Sequence, residues 1–565
     1  TMKRLGEKYS GIRPWFWFFG YLLVFPDLTI WIANCRGLHM FDLENLLIAA
    51  LLTVSGLFLF AVFGCFGSPR FGRTVMLAAC VLAGTFHFLD LFFFVHFQSQ
   101  TRLSFWFLAR ATNWTEVLGF IHFYLLNGKT VLLLLAYPAS GLLFAVFLKR
   151  KFVAAGFAAW IFAGPLLLNF ALSLRPDAEN NRYGVMTLPV LIDRFLEEKL
   201  DAEFMADDLA AANAELKAVN REESAVYVLV IGESHSKYHS SLYGYPRRTM
   251  PRMEELAARN ELYVFRDVTA PNSFTNNVLP KLLSFEAHDV DEKFFEVPNI
   301  IDLMRAAGFR TWYLSNQANA SELGLTYMAI AARADVFRNT MTVWKSSPDE
   351  ALLPLFDEAL ADPAPRKFII LHLIGSHSGY EATYPASFRR FPLDEAPEFF
   401  NAQQKQNREI VNHYDNSVLY NDFILDTLIG RLRRGNPNGF LLYLPDHGEN
   451  LYEEKDTILH MEFMPTRQTV EVPMLLYLTD AYRAAMRPGE ADEIARGTAR
   501  PWSSEDLPFL LLELGRIEYD GFQPEKSPIN PQFRPKTRIV SKCRILYDKL
   551  KNATCEERIS ARNLR

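Results

Sequence analysis

Five apolar stretches fill the first third of this 565-residue chain, at residues 15–33, 46–66, 74–97, 130–148 and 152–172. Each is close to the ~20 residues that cross a bilayer as a helix. They are too long and too free of charge for buried helices of a soluble domain. The first reads as a membrane span rather than a cleaved leader, since no small-residue cleavage site follows it. Thr1 reads as a non-native addition, with Met2 as the natural start. Lys3, Arg4, Lys8 and Arg13, then Arg70 and Arg73, then Lys149, Arg150 and Lys151 all fall on one side if every stretch crosses. That side is the cytoplasm by the positive-inside rule, so residues after 172 are expected outside it. Residues 98–128 mix Phe and Trp with Arg102, Arg110 and Glu116, and read as interfacial helices. Asp27, His87 and Asp90 are ionisable groups in or near these spans, where pairing and function are both open.

From 173 to 224 the chain turns polar, and 193–220 has the spacing of a solvated bridging helix. The remainder, 225–565, alternates short β-rich runs with helical stretches. Runs at 226–231, 311–315, 367–372, 440–444 and 474–477 are continuous in Val, Ile, Leu, Phe and Tyr. That pattern suits strands covered on both faces in a mainly parallel sheet. The expected fold is therefore a five-helix transmembrane domain (1–172), a helical linker (173–224) and an α/β domain (225–565). A formal net charge of −5 argues against nucleic acid as a partner. Cys35, Cys65 and Cys80 read as packing residues of the apolar segments. Cys543 and Cys555 are close enough in sequence to form a disulfide in an oxidising compartment.

Open α/β sheets bind ligands beyond the carboxyl ends of their strands. Glu233 follows the first run, His377 follows the run ending at His372, and Asp446, His447 and Glu449 follow the run ending at Leu444. His460 comes a few residues later. Carboxylates and neutral imidazoles are zinc ligands, and these strand ends gather several. Gly448 is expected to let the backbone turn so that Asp446 and His447 share one metal. Thr275 lies in the segment after 262–270 and precedes a helix expected from Lys281 onward. A hydroxyl there faces backbone N–H groups that favour phosphate, although Thr also caps helices for purely structural reasons. Ser234 and Ser273 are the weaker nucleophile candidates. His235 and His239 read as surface residues, His413 to Asn416 as structural, and the basic stretch 536–551 as solvated or lipid-facing.

The run 228–234, Leu242 to Arg247 with Pro251, His372 to His377, His413 to Asn416, and Pro445 to Glu449 with His460 resemble the phosphoethanolamine transferases. These form a membrane-anchored branch of the alkaline phosphatase/sulfatase superfamily, and the resemblance covers the whole chain. It implies that Glu233, Thr275, Asp446 and His447 bind a catalytic zinc, with a second zinc as an option. It implies that Thr275 is the nucleophile, and that His377 and His460 contact phosphate or a second metal. Glu449 would lie near the donor head group, and Asn316 and Gln317 match a pair of substrate-binding Asn. The implied donor is phosphatidylethanolamine. The implied acceptors are a lipopolysaccharide core sugar, lipid A or a glucan, and the setting is a bacterial inner membrane with the catalytic domain of a monomer in the periplasm. Two departures from the members that modify lipid A favour a core sugar or glucan instead: no cysteine flanks Thr275, and Ser234 replaces the Thr of those members. A glycerophosphate transferase, a hydrolase of the same superfamily and an inactive membrane scaffold are the rival readings.

Overall fold

A computed structural model describes residues 207–317, 327–340, 347–392, 405–453, 458, 460, 462, 465–541 and 544–550, together with Thr130. Apart from Thr130, the five expected spans lie outside the described residues, as do the interfacial segment and the Cys543–Cys555 pair. Among the described residues no helix is long and apolar enough to cross a membrane.

The sheet grows from its most apolar segment. In β1 (Ala225–Gly232) every residue is buried. Such a strand needs partners on both edges and cover on both faces, and it has them. It pairs in parallel with β5 (Arg366–His372) on one side and β6 (Gly439–Pro445) on the other. β3 (Arg310–Ser315) and β4 (Val336–Asn339) extend the sheet beyond β5, again in parallel. Beyond β6 lie β7 (Met474–Leu478) and β2 (Leu262–Phe265), giving the order β2-β7-β6-β1-β5-β3-β4. β7 is antiparallel to both of its neighbours, so it alone is reversed in this seven-stranded sheet.

One face of the sheet carries Tyr227, Leu229, Ile231, Phe368, Ile370, Leu442 and Leu444. They share a buried core with α2 (Thr275–Leu283), α3 (Ile300–Ala306) and α7 (Leu507–Leu514). The long α5 (Lys405–Gly435) is tied to the sheet by hydrogen bonds from Asn421 to the Tyr443 hydroxyl and from Arg433 to that of Tyr477. It also packs against α1 (Pro251–Ala258) and α4 (Leu353–Ala361).

The register sets the site. Ile231 lies opposite His372, and Gly232 lies opposite Pro445. Glu233 and Asp446 therefore leave the sheet side by side, one residue past a paired position. Pairing continues one step further as the Asp446 N–H donates to the Gly232 carbonyl at 3.1 Å.

Three expectations are corrected here. The bridging helix does not reach 220: helix ends by residue 212, and Ala218–Asn220 is a strand antiparallel to Ile517–Tyr519. Buried Ala218 and Asn220 alternate with exposed Val219, and Asn220 donates its amide to the Gly515 carbonyl. The run 262–270 breaks at Arg266 and Asp267, because Val268–Thr269 pairs with Trp502–Ser503 rather than with the main sheet. The basic stretch is not merely solvated either. Lys536 reaches Glu505 at 2.7 Å and Asp506 at 2.8 Å, two carboxylates that are 2–3% exposed.

That last contact is testable. Lys536→Met should leave two buried carboxylates without their cation and lower stability by about 3–5 kcal/mol. A solvated lysine would instead give a change within about 0.5 kcal/mol, read from the unfolding midpoint of the intact protein.

Candidate metal centre

Glu233, Asp446 and His447 stand at the carboxyl ends of β1 and β6. One ligand atom from each lies within 4.8 Å of the others, and all three residues are buried. His447 Nε2 is 3.3 Å from Asp446 Oδ2 and 3.6 Å from Glu233 Oε1. The other ring nitrogen settles the tautomer. Nδ1 lies 2.8 Å from the Gly448 carbonyl, which can only accept, so Nδ1 carries the proton and Nε2 presents its lone pair. Burial pushes the pKa of His447 down to about 4, which keeps the ring neutral at neutral pH. Asp446 Oδ1 accepts the N–H groups of Ser234 and His447, whereas buried Oδ2 has no hydrogen-bond donor. An orphaned carboxylate oxygen beside a second carboxylate and an imidazole lone pair is the arrangement a divalent cation completes. The donor set suits zinc.

Gly448 serves this arrangement differently from expectation. It does not adopt a left-handed conformation. A Cβ there would sit 2.1 Å from the Gln468 carbonyl oxygen, so glycine is required by close approach of two backbones.

Thr275 is the first residue of α2, and its Oγ1 lies 3.3 Å from both Glu233 Oε2 and His447 Nε2. Thr275 is not the helix cap. Phe274 holds the N-cap position, and no side chain caps the helix. The alternative of a purely structural threonine therefore loses its geometry. The hydroxyl is turned to the buried Glu233 and His447 side chains at a helix N-terminus, where negative charge is favoured.

His460 lies beside His447, with ring centroids 3.9 Å apart and ring planes tilted by 45°, and its Nδ1 is 3.3 Å from Glu449 Oε2. Burial pushes His460 down to about 4 and Glu449 up to about 8. Tyr380 donates its hydroxyl to the same Glu449 oxygen at 3.1 Å. His377 follows the turn after β5, with Nδ1 3.3 Å from the Ser378 carbonyl. Gln317 reaches the centre, its amide 3.3 Å from Glu233 Oε2. Asn316 does not. Its side chain is fully buried and bonded to Ser347, Asp349 and Thr340.

His235 and His239 are not surface residues, as both are fully buried. His235 Nδ1 meets the Tyr443 hydroxyl at 2.8 Å. His239 lies between Asp415, at 2.6 Å, and Glu453, at 3.1 Å. Tyr443 lies 208 residues from His235, and Asp415 and Glu453 lie 176 and 214 residues from His239, beyond the reach of any local pattern. The segment 413–416 is helical as expected, but Tyr414 does more than pack. Its hydroxyl donates to the Ser234 carbonyl at 2.6 Å and accepts the Ser236 N–H at 2.8 Å. It thereby fixes the backbone just after Glu233, where Ser234 takes the left-handed φ of 53°.

A parallel-rich sheet thus presents, beside a helix-terminal hydroxyl, a buried acidic and histidine cluster with the donor set of a metal site. Residues 225–513 match the family model described as Sulfatase, and the chain belongs to that family. It is similar to a phosphoethanolamine transferase, EptC of Escherichia coli K12, at 28% identity over 93% of this chain and 92% of that one. A crystal structure of the C-terminal periplasmic domain of EptC from Escherichia coli, in complex with Zn, is 30% identical. It covers 60% of this chain and 96% of its own, with a TM-score of 0.55. The integral membrane lipooligosaccharide phosphoethanolamine transferase A of Neisseria meningitidis has the same fold. It gives a TM-score of 0.61 at 19% identity, over 93% of this chain and 99% of that one.

The buried histidine at 239 carries a pH prediction. Burial opposes its charge, but Asp415 and Glu453 outweigh that and hold its pKa up at about 9, against an ordinary 6.5. The native state thus binds this proton more tightly than the unfolded chain. Its contribution, roughly 3 kcal/mol, is complete below pH 6.5 and disappears as pH rises through about 9. Unfolding midpoints of the parent should fall across that window, and His239→Gln should remove that part of the slope.

Proposed function

We propose that this chain transfers phosphoethanolamine from phosphatidylethanolamine to a cell-envelope glycan or lipopolysaccharide through a phospho-threonine at position 275. The observation that carries the reading is the Thr275 hydroxyl, 3.3 Å from both Glu233 and His447 at the start of α2. Similarity to EptC over 93% of the chain supports the same head group.

Zinc held by Glu233, Asp446, His447 and Thr275 would supply positive charge that favours an ionised Thr275 oxygen and draws electron density from the phosphoryl group. Thr275 Oγ1 attacks the donor phosphorus, and the bond from phosphorus to the glycerol oxygen breaks. Diacylglycerol takes up a proton and returns to the membrane, while phosphoethanolamine stays esterified to Thr275. The N-terminus of α2 faces the phosphoryl oxygens and steadies their charge. An acceptor hydroxyl then attacks the same phosphorus, His460 or His377 takes its proton, and the Thr275 oxygen departs. Two displacements replace one difficult transfer. Glu449, Tyr380 and Gln317 line the approach to the donor head group.

In this reading the five apolar stretches anchor a monomer in a bacterial inner membrane, and the catalytic domain works in the periplasm on lipid from the outer leaflet. A core sugar or glucan is the preferred acceptor over lipid A, since the segment around Thr275 lacks cysteine.

Intact mass after incubation with phosphatidylethanolamine tests the scheme. The parent should gain one phosphoethanolamine unit, and Thr275→Ala should gain none and lose activity on the order of 10⁴-fold. A glycerophosphate adduct would point instead to the glycerophosphate transferase reading. Chelation should abolish turnover while the fold persists, and sustained turnover after complete zinc removal would exclude the metal's role.

A further inference from the structure

We propose that Asp349 is a positioning residue for the metal centre, acting through the backbone of residues 373–377; this rests on the zinc-site reading above. Asp349 opens the short turn Asp349–Leu352 ahead of α4 and is 1% exposed. Its carboxylate grips two consecutive backbone amides. Oδ1 accepts the Ile374 N–H at 2.8 Å, and Oδ2 accepts the Gly375 N–H at 3.0 Å. The Asn316 amide adds a third donor at 2.8 Å.

The gripped segment presses directly on the ligand Glu233. A Cβ on Gly375 would lie 2.8 Å from both the nitrogen and the carbonyl oxygen of Glu233, and Gly375 has a left-handed φ of 52°. The next residue, Ser376, donates its N–H to the Glu233 carbonyl at 3.0 Å. One residue before the grip, the Leu373 carbonyl accepts the Gln317 amide at 2.7 Å, and that amide also lies 3.3 Å from Glu233 Oε2. Asp349 touches none of the three ligands. It fixes the strip of backbone that backs Glu233, orients Gln317 towards its carboxylate and delivers His377.

A carboxylate is required chemically. Three N–H donors converge on Asp349, and a carboxylate is acceptor-only at both oxygens. Asparagine would set an NH₂ group against one of the backbone N–H donors and release 374–375. Groups that orient a ligand in this way are typically worth about 10–100-fold in metal affinity.

The test compares the full-length protein with its Asp349→Asn, Asp422→Asn and Asp446→Ala variants, measuring zinc dissociation constants by chelator competition and unfolding midpoints. Asp422 is the matched control, a buried carboxylate that accepts the N–H groups of Arg252 and Met253 at the start of α1. Asp349→Asn should weaken zinc about 10–100-fold. It should also lower kcat for transfer more than it raises KM for the donor. Asp422→Asn should lower the midpoint comparably and leave zinc affinity at the parent value. Parent-like zinc affinity in Asp349→Asn would overturn the proposal, as would equal weakening in both carboxylate variants. If Asp349→Asn fails to fold, Asp349→Glu keeps the charge but displaces it by one methylene. It should then weaken zinc to a smaller degree, and unchanged affinity would again overturn the proposal. If Asp446→Ala binds zinc as the parent does, the site reading itself fails, and the positioning role with it.

Discussion

Two carboxylates and an imidazole lone pair lie buried within 4.8 Å of each other, and their charge must be answered by what surrounds them. Left alone, Glu233 and Asp446 would repel across a medium with little water to screen them, and one would neutralise by protonation. Asp446 shows how the protein resolves this. One oxygen is satisfied by two backbone amides, and the other is left without a donor. Leaving a buried oxygen unpaired is costly unless a cation completes it. The surroundings then follow. Tyr414 pins the backbone after Glu233, the Gly448 carbonyl sets the His447 tautomer, and the turn after β5 closes over Glu233 from behind.

Such a cluster needs an unyielding base, and the sheet provides it. β1 is buried along its entire length and bonded in parallel on both edges, so its end has little freedom. Glu233 and Asp446 are set side by side by a register that cannot slip by one residue without turning buried side chains to the opposite face. The Thr275 hydroxyl is brought by a different device, the first residue of α2, whose core-facing Val278, Leu279, Leu282 and Leu283 are completely buried. The acidic and histidine cluster and the Thr275 hydroxyl are thus fixed by separate elements that share one hydrophobic core.

Much of this was legible in the sequence because burial on both faces leaves a plain mark. The continuous runs of β1, β5 and β6 announce themselves, and residues just past their ends form the site. What escaped the reading did so for physical reasons. β4, with Val336, Phe337, Arg338 and Asn339, is a short edge strand of mixed polarity. The reversal of β7 leaves no trace in a strand whose five residues are all buried. Burial of His235 and His239 depends on partners from distant segments, which composition cannot reveal. Asn316 and Gln317 look alike in sequence, yet successive side chains leave the end of a strand in opposite directions. Gln317 meets Glu233, and Asn316 meets the Asp349 turn.

The uncapped start of α2 follows from the same economy of donors. A Ser, Asp or Asn at position 274 would cap the helix and stabilise it by about 1 kcal/mol. It would also place an oxygen over the N–H groups that the donor phosphoryl group approaches in the proposed mechanism, and a carboxylate there would repel it. Phe274 supplies no competing acceptor, and its ring lies 6.5 Å from that of His460. Local helix stability is given up where a cap would occupy the proposed phosphoryl site. α2 is held instead by its apolar face in the core. A stabilising cap at 274 would therefore compete with the ligand chemistry that the rest of the site is arranged to perform.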